Sequence, residues 1–312
     1  MILAVTLNAA LDVTYEVDAL VPGSTHRVTT SWARAGGKGI NVASVLHALG
    51  IPVIATGLVG GSTGDLIVAD LEARGIVHDF VAVNGDSRRT VNVVSAATGD
   101  STIFNEAGPV IGADEWTAAL ATIGSLVESH AATVVALSGS LPRGLLDTAY
   151  AQLVEVARDR GALTVVDAGG AVLAAAVAAH PDVVKPNLAE LEAATGSTDI
   201  PAGAAALRDL GARDVVVSAG AEGATVVQAD GRVITVHPGA RLAGNPTGAG
   251  DAMVAAICAG LADGDPWTTT LTEAVAWSAA AVLEPLAGEL DAAEVVRRRS
   301  AVTVVAGSAE VR

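Results

Sequence analysis

Aromatic residues make up only 3% of this 312-residue chain, with four Trp, two Tyr and two Phe. The core must therefore be built from Ala, Val, Leu and Ile, which favour close helix packing and strands. A single cysteine, Cys258, excludes an intramolecular disulfide. No Cys/His spacing of a structural zinc site is present either. Positive charge is scarce: 18 Lys and Arg stand against 34 Asp and Glu, a net charge of −16. Such a surface repels nucleic acid and anionic membranes. It would repel an anionic substrate too, so a phosphate site here must draw on local cations or backbone N–H groups. No uninterrupted apolar run approaches the ~18 residues that span a bilayer. "AVLAAAVAAH", 171–180, reads instead as a core helix. The opening "MILAVTLNAALD" has neither a basic leader nor a cleavage site, so it reads as a buried first strand. A cytoplasmic protein is expected.

What is abundant is hydrophobic residues, 51% of the chain, enough for one large α/β domain over 1–312. Continuous apolar runs at 2–7, 52–57, 133–139, 163–168, 182–186 and 214–220 read as strands buried on both faces. Helical patterns fall between them at 39–49, 63–74, 113–128, 146–160, 187–195 and 201–210. Strand-then-helix alternation predicts a mostly parallel sheet covered by helices on both sides. Two stretches break the pattern. Residues 12–34 alternate polar and apolar around a Pro-Gly turn, and 88–105 read as a hairpin turning at Thr-Gly-Asp. Both would leave the sheet, and could pair as a small β-lid over a site. The plain alternative is two surface hairpins.

Four motifs carry chemistry. "NPTGAGD", 245–251, is followed by an apolar run that begins a helix at its glycines. The first N–H groups of that helix lack partners and carry the positive end of its dipole. They can hold a phosphoryl group as its charge develops. Asp251, in the first turn, can accept the proton of an attacking hydroxyl. A turn whose acid merely satisfies the dipole is the other reading. "ARAGGKGINVASVLHALG", 33–50, places Gly36, Gly37 and Gly39 before a helix, with Lys38 for charge and Asn41 as donor and acceptor. Its spacing is not that of a Walker A loop. "KPNLAELE", 185–192, sets Asn187 and Glu190 on one face of a helix start. Oxygen ligands there suit a hydrated Mg²⁺ beside phosphates, and the same pair suits a capping box. "SAGAEGA", 218–224, opens a strand end into glycines, where α/β sheets bind ligands. "GLVGGSTG", 57–64, lacks the G-x-G-x-x-G spacing of a dinucleotide site.

In this order the motifs resemble those of the ribokinase-like PfkB carbohydrate kinases, along essentially the whole chain. "AGGKGINVA" (35–43) is similar to that family's N-terminal signature and "NPTGAGDAM" (245–253) to its C-terminal one. The resemblance implies a three-layer αβα sandwich with a β-lid, ATP as donor, and Mg²⁺. It casts Asp251 as general base and Gly248, Ala249 and Gly250 as anion hole. Asp12, Gly37 and Asn41 would bind the sugar. Lys185, Asn187, Ser218, Gly220, Glu222, Gly223 and Ser278 would line the nucleotide site with Gly248 and Gly250. The helix containing Ser278 would stand beside the adenine. Asn187 and Glu190 would organise the magnesium, Glu190 through water.

"TLNAALD", "GGKGINVA", "SGSLPRG" (138–144) and "KPN" look most like the hexose-phosphate kinases of the family. Their substrate's phosphate would meet Lys38 and Arg27, with Arg89 and Asn92 as further substrate-binding candidates. The sequence departs from that branch on the lid strand, which usually reads Thr-Arg-x-Asn-x-Lys. "RTVNVV", 89–94, has Thr90 at the arginine position and Val94 at the lysine position. Arg88 and Arg89 are near, but a shift of one residue turns a strand side chain to the opposite face. A kinase for an unphosphorylated sugar or nucleoside therefore stays open, as does a non-catalytic sensor on the same fold. Pairing of lids into a homodimer is compatible with the alternation at 12–34.

Overall fold

In the computed structural model, residues 1–239 and 241–308 are described. The chain begins β1 (Ile2–Thr6), β2 (Ala10–Val17), β3 (Thr30–Gly36), α1 (Lys38–Ala48), β4 (Val53–Val59), α2 (Gly61–Ala73) and β5 (His78–Ala82). It continues β6 (Arg88–Ser95), β7 (Ser101–Asn105), α3 (Ala113–Ser129), β8 (Val134–Ser138), α4 (Ala149–Arg158), β9 (Leu163–Asp167) and α5 (Gly170–Val177). Then come β10 (Val183–Val184), α6 (Leu188–Thr195), α7 (Ile200–Asp209), β11 (Asp214–Ser218), β12 (Ala224–Val227) and β13 (Arg232–His237). The last are α8 (Ala249–Asp263), α9 (Trp267–Ala281), α10 (Ala292–Ala301) and β14 (Thr303–Ser308).

The apolar runs form the middle of a 10-stranded sheet, ordered β14-β13-β12-β11-β10-β9-β8-β1-β4-β5. Pairing is parallel from β11 to β5 and antiparallel from β11 to β14. Alternation splits each inner strand between two cores. Ile2 and Ala4 of β1 join a cluster with α1, α2, α8 and α9, whereas Leu3 and Val5 join one with α3, α4, α5 and α7. Helices thus cover both faces, which makes three layers.

A second, 4-stranded sheet has the order β3-β2-β6-β7. It is built from the two alternating stretches, which meet where β2 and β6 pair in parallel, Asp12 beside Thr90. The plain alternative of two independent surface hairpins is thereby overturned.

The structure differs from the sequence reading at both edges of the large sheet and at one inner strand. The expected strand at 182–186 shrinks to Val183–Val184. Pro186 has no N–H for a ladder, and Asn187 is already the cap of α6. Strands β5 and β12 to β14 and helix α10 were not expected. Strand β13, next to the edge strand β14, has a mixed pattern of exposed and buried residues, unlike the fully buried β1.

Candidate active site

The parallel strands deliver polar residues at their carboxyl ends, where an open α/β sheet forms its ligand crevice. Asp167 ends β9, Lys185 follows β10, and Ser218 ends β11. The N-termini of α1 and α8 point into the same crevice, a cleft of about 940 Å³ roofed by the small sheet. Asp12, Gly37, Lys38, Asn41, Lys185, Asn187, Glu190, Ser218, Gly220, Gly223, Gly248, Ala249, Gly250, Asp251 and Ser278 all line it. Motifs far apart in sequence therefore meet at one place.

Helix α8 starts as its sequence predicts. Gly248 caps it in the left-handed region, at φ 88°, and a Cβ there would lie 2.9 Å from Ala287. Only glycine fits both conditions. The first N–H to bond back into the helix is that of Ala252, to the Gly248 carbonyl at 2.9 Å. The Ala249 N–H reaches the Pro246 carbonyl at 3.3 Å. Those of Gly250 and Asp251 take no backbone acceptor among the described residues, and remain for an anion.

Asp251 is 6% exposed, and the Asn41 amide donates to its Oδ2 at 2.8 Å. Burial and then the neighbouring Asp167 charge push its carboxyl up to about 7, against the Asn41 bond, Lys38 and Lys185. That is where a group can take a proton near neutrality. Asp167 is 1% exposed and carries an ammonium on each oxygen, Lys38 on Oδ2 and Lys185 on Oδ1, both at 3.1 Å. Burial works against its charge, but Lys185 and Lys38 outweigh burial and hold its carboxyl below the ordinary value.

Asn187 and Glu190 form the capping box in full. The Glu190 N–H donates to Asn187 Oδ1 and the Asn187 N–H to Glu190 Oε2, each at 2.9 Å. This commits the Asn187 oxygen and leaves Glu190 Oε1 beside Gly169, facing the cleft. No group of three His, Cys, Asp or Glu that could hold a metal occurs among the described residues. The donor set still fits Mg²⁺, because that ion keeps its waters and binds substrate phosphates with one or two protein oxygens.

The small sheet corrects the expected phosphate contacts. Arg88 and Thr90 of β6 line the cleft, and Arg89 between them is exposed on the other face. Arg88 is thus the strand cation that reaches the site. Asn92 shares the inner face but does not line the cleft, and its buried Oδ1 has no partner. Arg27 lies exposed between β2 and β3, outside the cleft. Glu222 is exposed and also outside it; the adjacent Gly220, Ala221 and Gly223 are the lining residues.

Sequence reasoning missed Asp167, Arg241 at the mouth, and Asn105 opposite Thr90. It also missed an adjoining cavity of about 540 Å³ lined by Asn8, Lys38, Arg88, Ser138, Ser140 and Arg143. There Arg88 donates to the Asn8 carbonyl at 3.1 Å and Arg143 to the Gly108 carbonyl at 3.1 Å. The Ser138 hydroxyl and Asn8 Oδ1 are buried without partners. Asp167 had one signal, an acid closing an apolar run at a strand's carboxyl end.

Helix N–H groups without a backbone acceptor, a buried carboxyl pushed up to about 7 and clustered cations make a site suited to receiving an anion and taking up a proton. The family described as pfkB family carbohydrate kinase matches residues 4–293. The 1-phosphofructokinase of Xanthomonas campestris pv. campestris is 41% identical over 271 residues, 84% of each chain. That of Rhodobacter capsulatus is 39% identical over 261 residues, 82% of each. Phosphofructokinase-2 from Escherichia coli, solved in complex with fructose-6-phosphate, superposes with a TM-score of 0.87 at 28% identity, covering 96% of this chain and 98% of its own. The chain belongs to the pfkB family of carbohydrate kinases. It is a phosphotransferase with an alcohol group as acceptor.

Proposed function

We propose that this enzyme transfers the γ-phosphoryl group of ATP to a hydroxyl of a ketohexose phosphate, with fructose 1-phosphate as the preferred acceptor. The observation that carries this reading is the junction of two cavities. One holds Asp251 and the free N–H groups of α8, and the other holds Arg88, Arg143 and unpartnered polar side chains. A sugar lying across the junction presents a hydroxyl to the base and its own phosphate to the arginines. The relatives named 1-phosphofructokinase support the choice of substrate.

Asp12, Gly37 and Asn41 orient the sugar in this reading, and Asn41 also holds the Asp251 carboxylate in place. The acceptor oxygen attacks the γ-phosphorus while its proton passes to Asp251. The bond from the γ-phosphorus to the β–γ bridging oxygen breaks, and its electron pair leaves with ADP. The Gly250 and Asp251 N–H groups, with Lys185, meet the charge that develops on the transferring group. Ser218, Gly220 and Gly223 border the nucleotide, and Val275, Ser278 and Ala279 of α9 offer a mainly apolar wall to the adenine. Glu190 would hold Mg²⁺ through water. The chemistry such an ion would supply there is charge to offset that of the phosphates.

The small sheet acts as a lid that excludes water. Its exposed Trp32 and Phe104, 46% and 55% exposed, suit pairing with a second copy. A cytoplasmic enzyme goes with ATP as donor; among the described residues no helix is long and apolar enough to cross a membrane. The test is ADP release with Mg-ATP against fructose 1-phosphate, fructose 6-phosphate, tagatose 6-phosphate, fructose and ribose. Fructose 1-phosphate is expected to give the highest kcat/KM. Equal or better turnover of a free sugar would overturn the proposal.

A further inference from the structure

We propose that Lys38 acts on the transferring phosphoryl group, not on the phosphate the sugar already carries, and that Asp167 is the positioning residue that aims it there beside Lys185. The inference rests on the kinase reading above and assigns its cations to two different tasks.

The charges of the site sort by position. Lys38 and Lys185 share one carboxylate, each 3.1 Å from an oxygen of Asp167, so their ammonium groups are neighbours. The Lys185 Nζ lies 3.8 Å from where a Cβ on Gly250 would stand, beside the free N–H groups of α8. The two lysines therefore flank the place where the α8 terminus would hold a phosphoryl group. Desolvation opposes the Lys38 charge, but the acids that act on it, Asp167, Asp251 and Glu190, outweigh burial and hold its ammonium above the ordinary value. All three belong to the transfer end of the cleft. Arg88 feels a different set, Asp12 and Glu106, and bonds to the Asn8 carbonyl. It borders both cavities, and shares the adjoining one with Arg143. Lys38 stands on the border of the two cavities, and its ion pair turns it towards the first.

The clasp explains why an acid is buried where phosphates are to be received. A lone buried carboxylate there would repel them. Carrying two ammonium groups, Asp167 leaves the trio with one net positive charge, and fixes two flexible side chains that would otherwise lose rotamer freedom on binding. Lysine is a compact point charge on a long stem, so a fixed partner decides where that charge sits.

The Lys38 side chain is 42% exposed, so Lys38→Met should fold normally. In that variant kcat is expected to fall about 100-fold on fructose 1-phosphate and by the same factor on fructose, with KM for the ester changed less than about 3-fold. Calorimetry with Mg²⁺ and AMP-PNP or ADP gives a readout independent of turnover. Lys38→Met should lose about tenfold in affinity for AMP-PNP and nothing for ADP. A raised KM for the ester with kcat kept, or a loss that vanishes with fructose, would assign Lys38 to the sugar's phosphate and overturn the proposal. So would an unchanged preference for AMP-PNP over ADP. If the wild-type enzyme turns over no sugar phosphate, the kinase reading fails while the nucleotide measurement still decides the role of Lys38. For Asp167, adding Lys38→Met to Asp167→Asn should cost less than about 3-fold more, because the lysine has already lost its aim. Fully additive losses would sink the positioning role. Should Asp167→Asn not fold, Asp167→Glu keeps the charge, and is expected to retain the AMP-PNP preference while lowering kcat.

Discussion

Asp251 shows what one residue's surroundings decide. Its carboxyl is pushed up to about 7 first by burial and then by the charge of Asp167, with Asn41, Lys38 and Lys185 pulling the other way. The proposed reaction uses its ionised form as base, so kcat/KM should climb with pH below about 7 and level off above it. Asp251→Asn should lower kcat by roughly 10³-fold or more and leave ATP binding within about 2-fold, since the base is lost and the N–H cradle stays. Near wild-type turnover in that variant would refute the assignment. The same shift affects stability with a definite sign. A carboxyl raised in the folded state favours folding below its ordinary pKa, and that stabilisation is lost as pH rises through about 7. Melting of Asp251→Asn against wild type should therefore show the variant gaining on going from pH 5 to pH 8. The gain would be on the order of a few kcal/mol. An equal difference at both pH values would mean that the carboxylate is no harder to ionise than a free one.

At the scale of elements, one strand tests the period-2 argument. Arg88 and Arg89 are neighbours in β6, yet only Arg88 lines the cleft. Arg88→Ala should raise KM for fructose 1-phosphate about 10- to 100-fold and barely change kinetics with fructose, whereas Arg89→Ala should change KM less than about 2-fold. Similar effects of the two would show that β6 is twisted or bulged out of its pairing register with β2. That register is the part of the site the sequence could not disclose. A pair of adjacent arginines at a strand start looks the same in either phase, and the phase is set by pairing with Ala10 and Leu11 of β2, far away in the chain. The inner strands were legible because residues buried on both faces leave unbroken apolar runs. The helix starts at Lys38 and Ala249 were legible because glycines mark them. Asn187 and Glu190 were legible only as an ambiguity, since a capping box and a magnesium-organising pair need the same residues at the same spacing. Asp167 looks, in the sequence, like nothing more than the tail of a strand. Its significance comes from two lysines, one 129 residues earlier in the chain and the other on the next strand's end.

The whole molecule carries a net charge of −16 and must admit two anions to one cleft. Two fields compete, and their ranges differ. The overall negative charge acts over tens of ångströms, while Lys38, Arg88, Lys185 and Arg241 act at contact. For a sphere the size of this protein, the repulsion falls from roughly 2 to about 1 kcal/mol per substrate charge as salt goes from ~0.01 to ~0.1 M. Contacts at a few ångströms lie well inside the screening length of about 10 Å at the higher value, and weaken less. Low salt should therefore hinder capture more than it strengthens binding. With tetramethylammonium chloride as an inert salt and subsaturating fructose 1-phosphate, kcat/KM should rise several-fold over that range, while fructose as acceptor shows little change. Arg88→Ala should preserve the rise, because removing one contact leaves the long-range field in place. A fall in kcat/KM over the same range would mean that the cations of the cleft, and not the acidic exterior, govern the approach of the substrate.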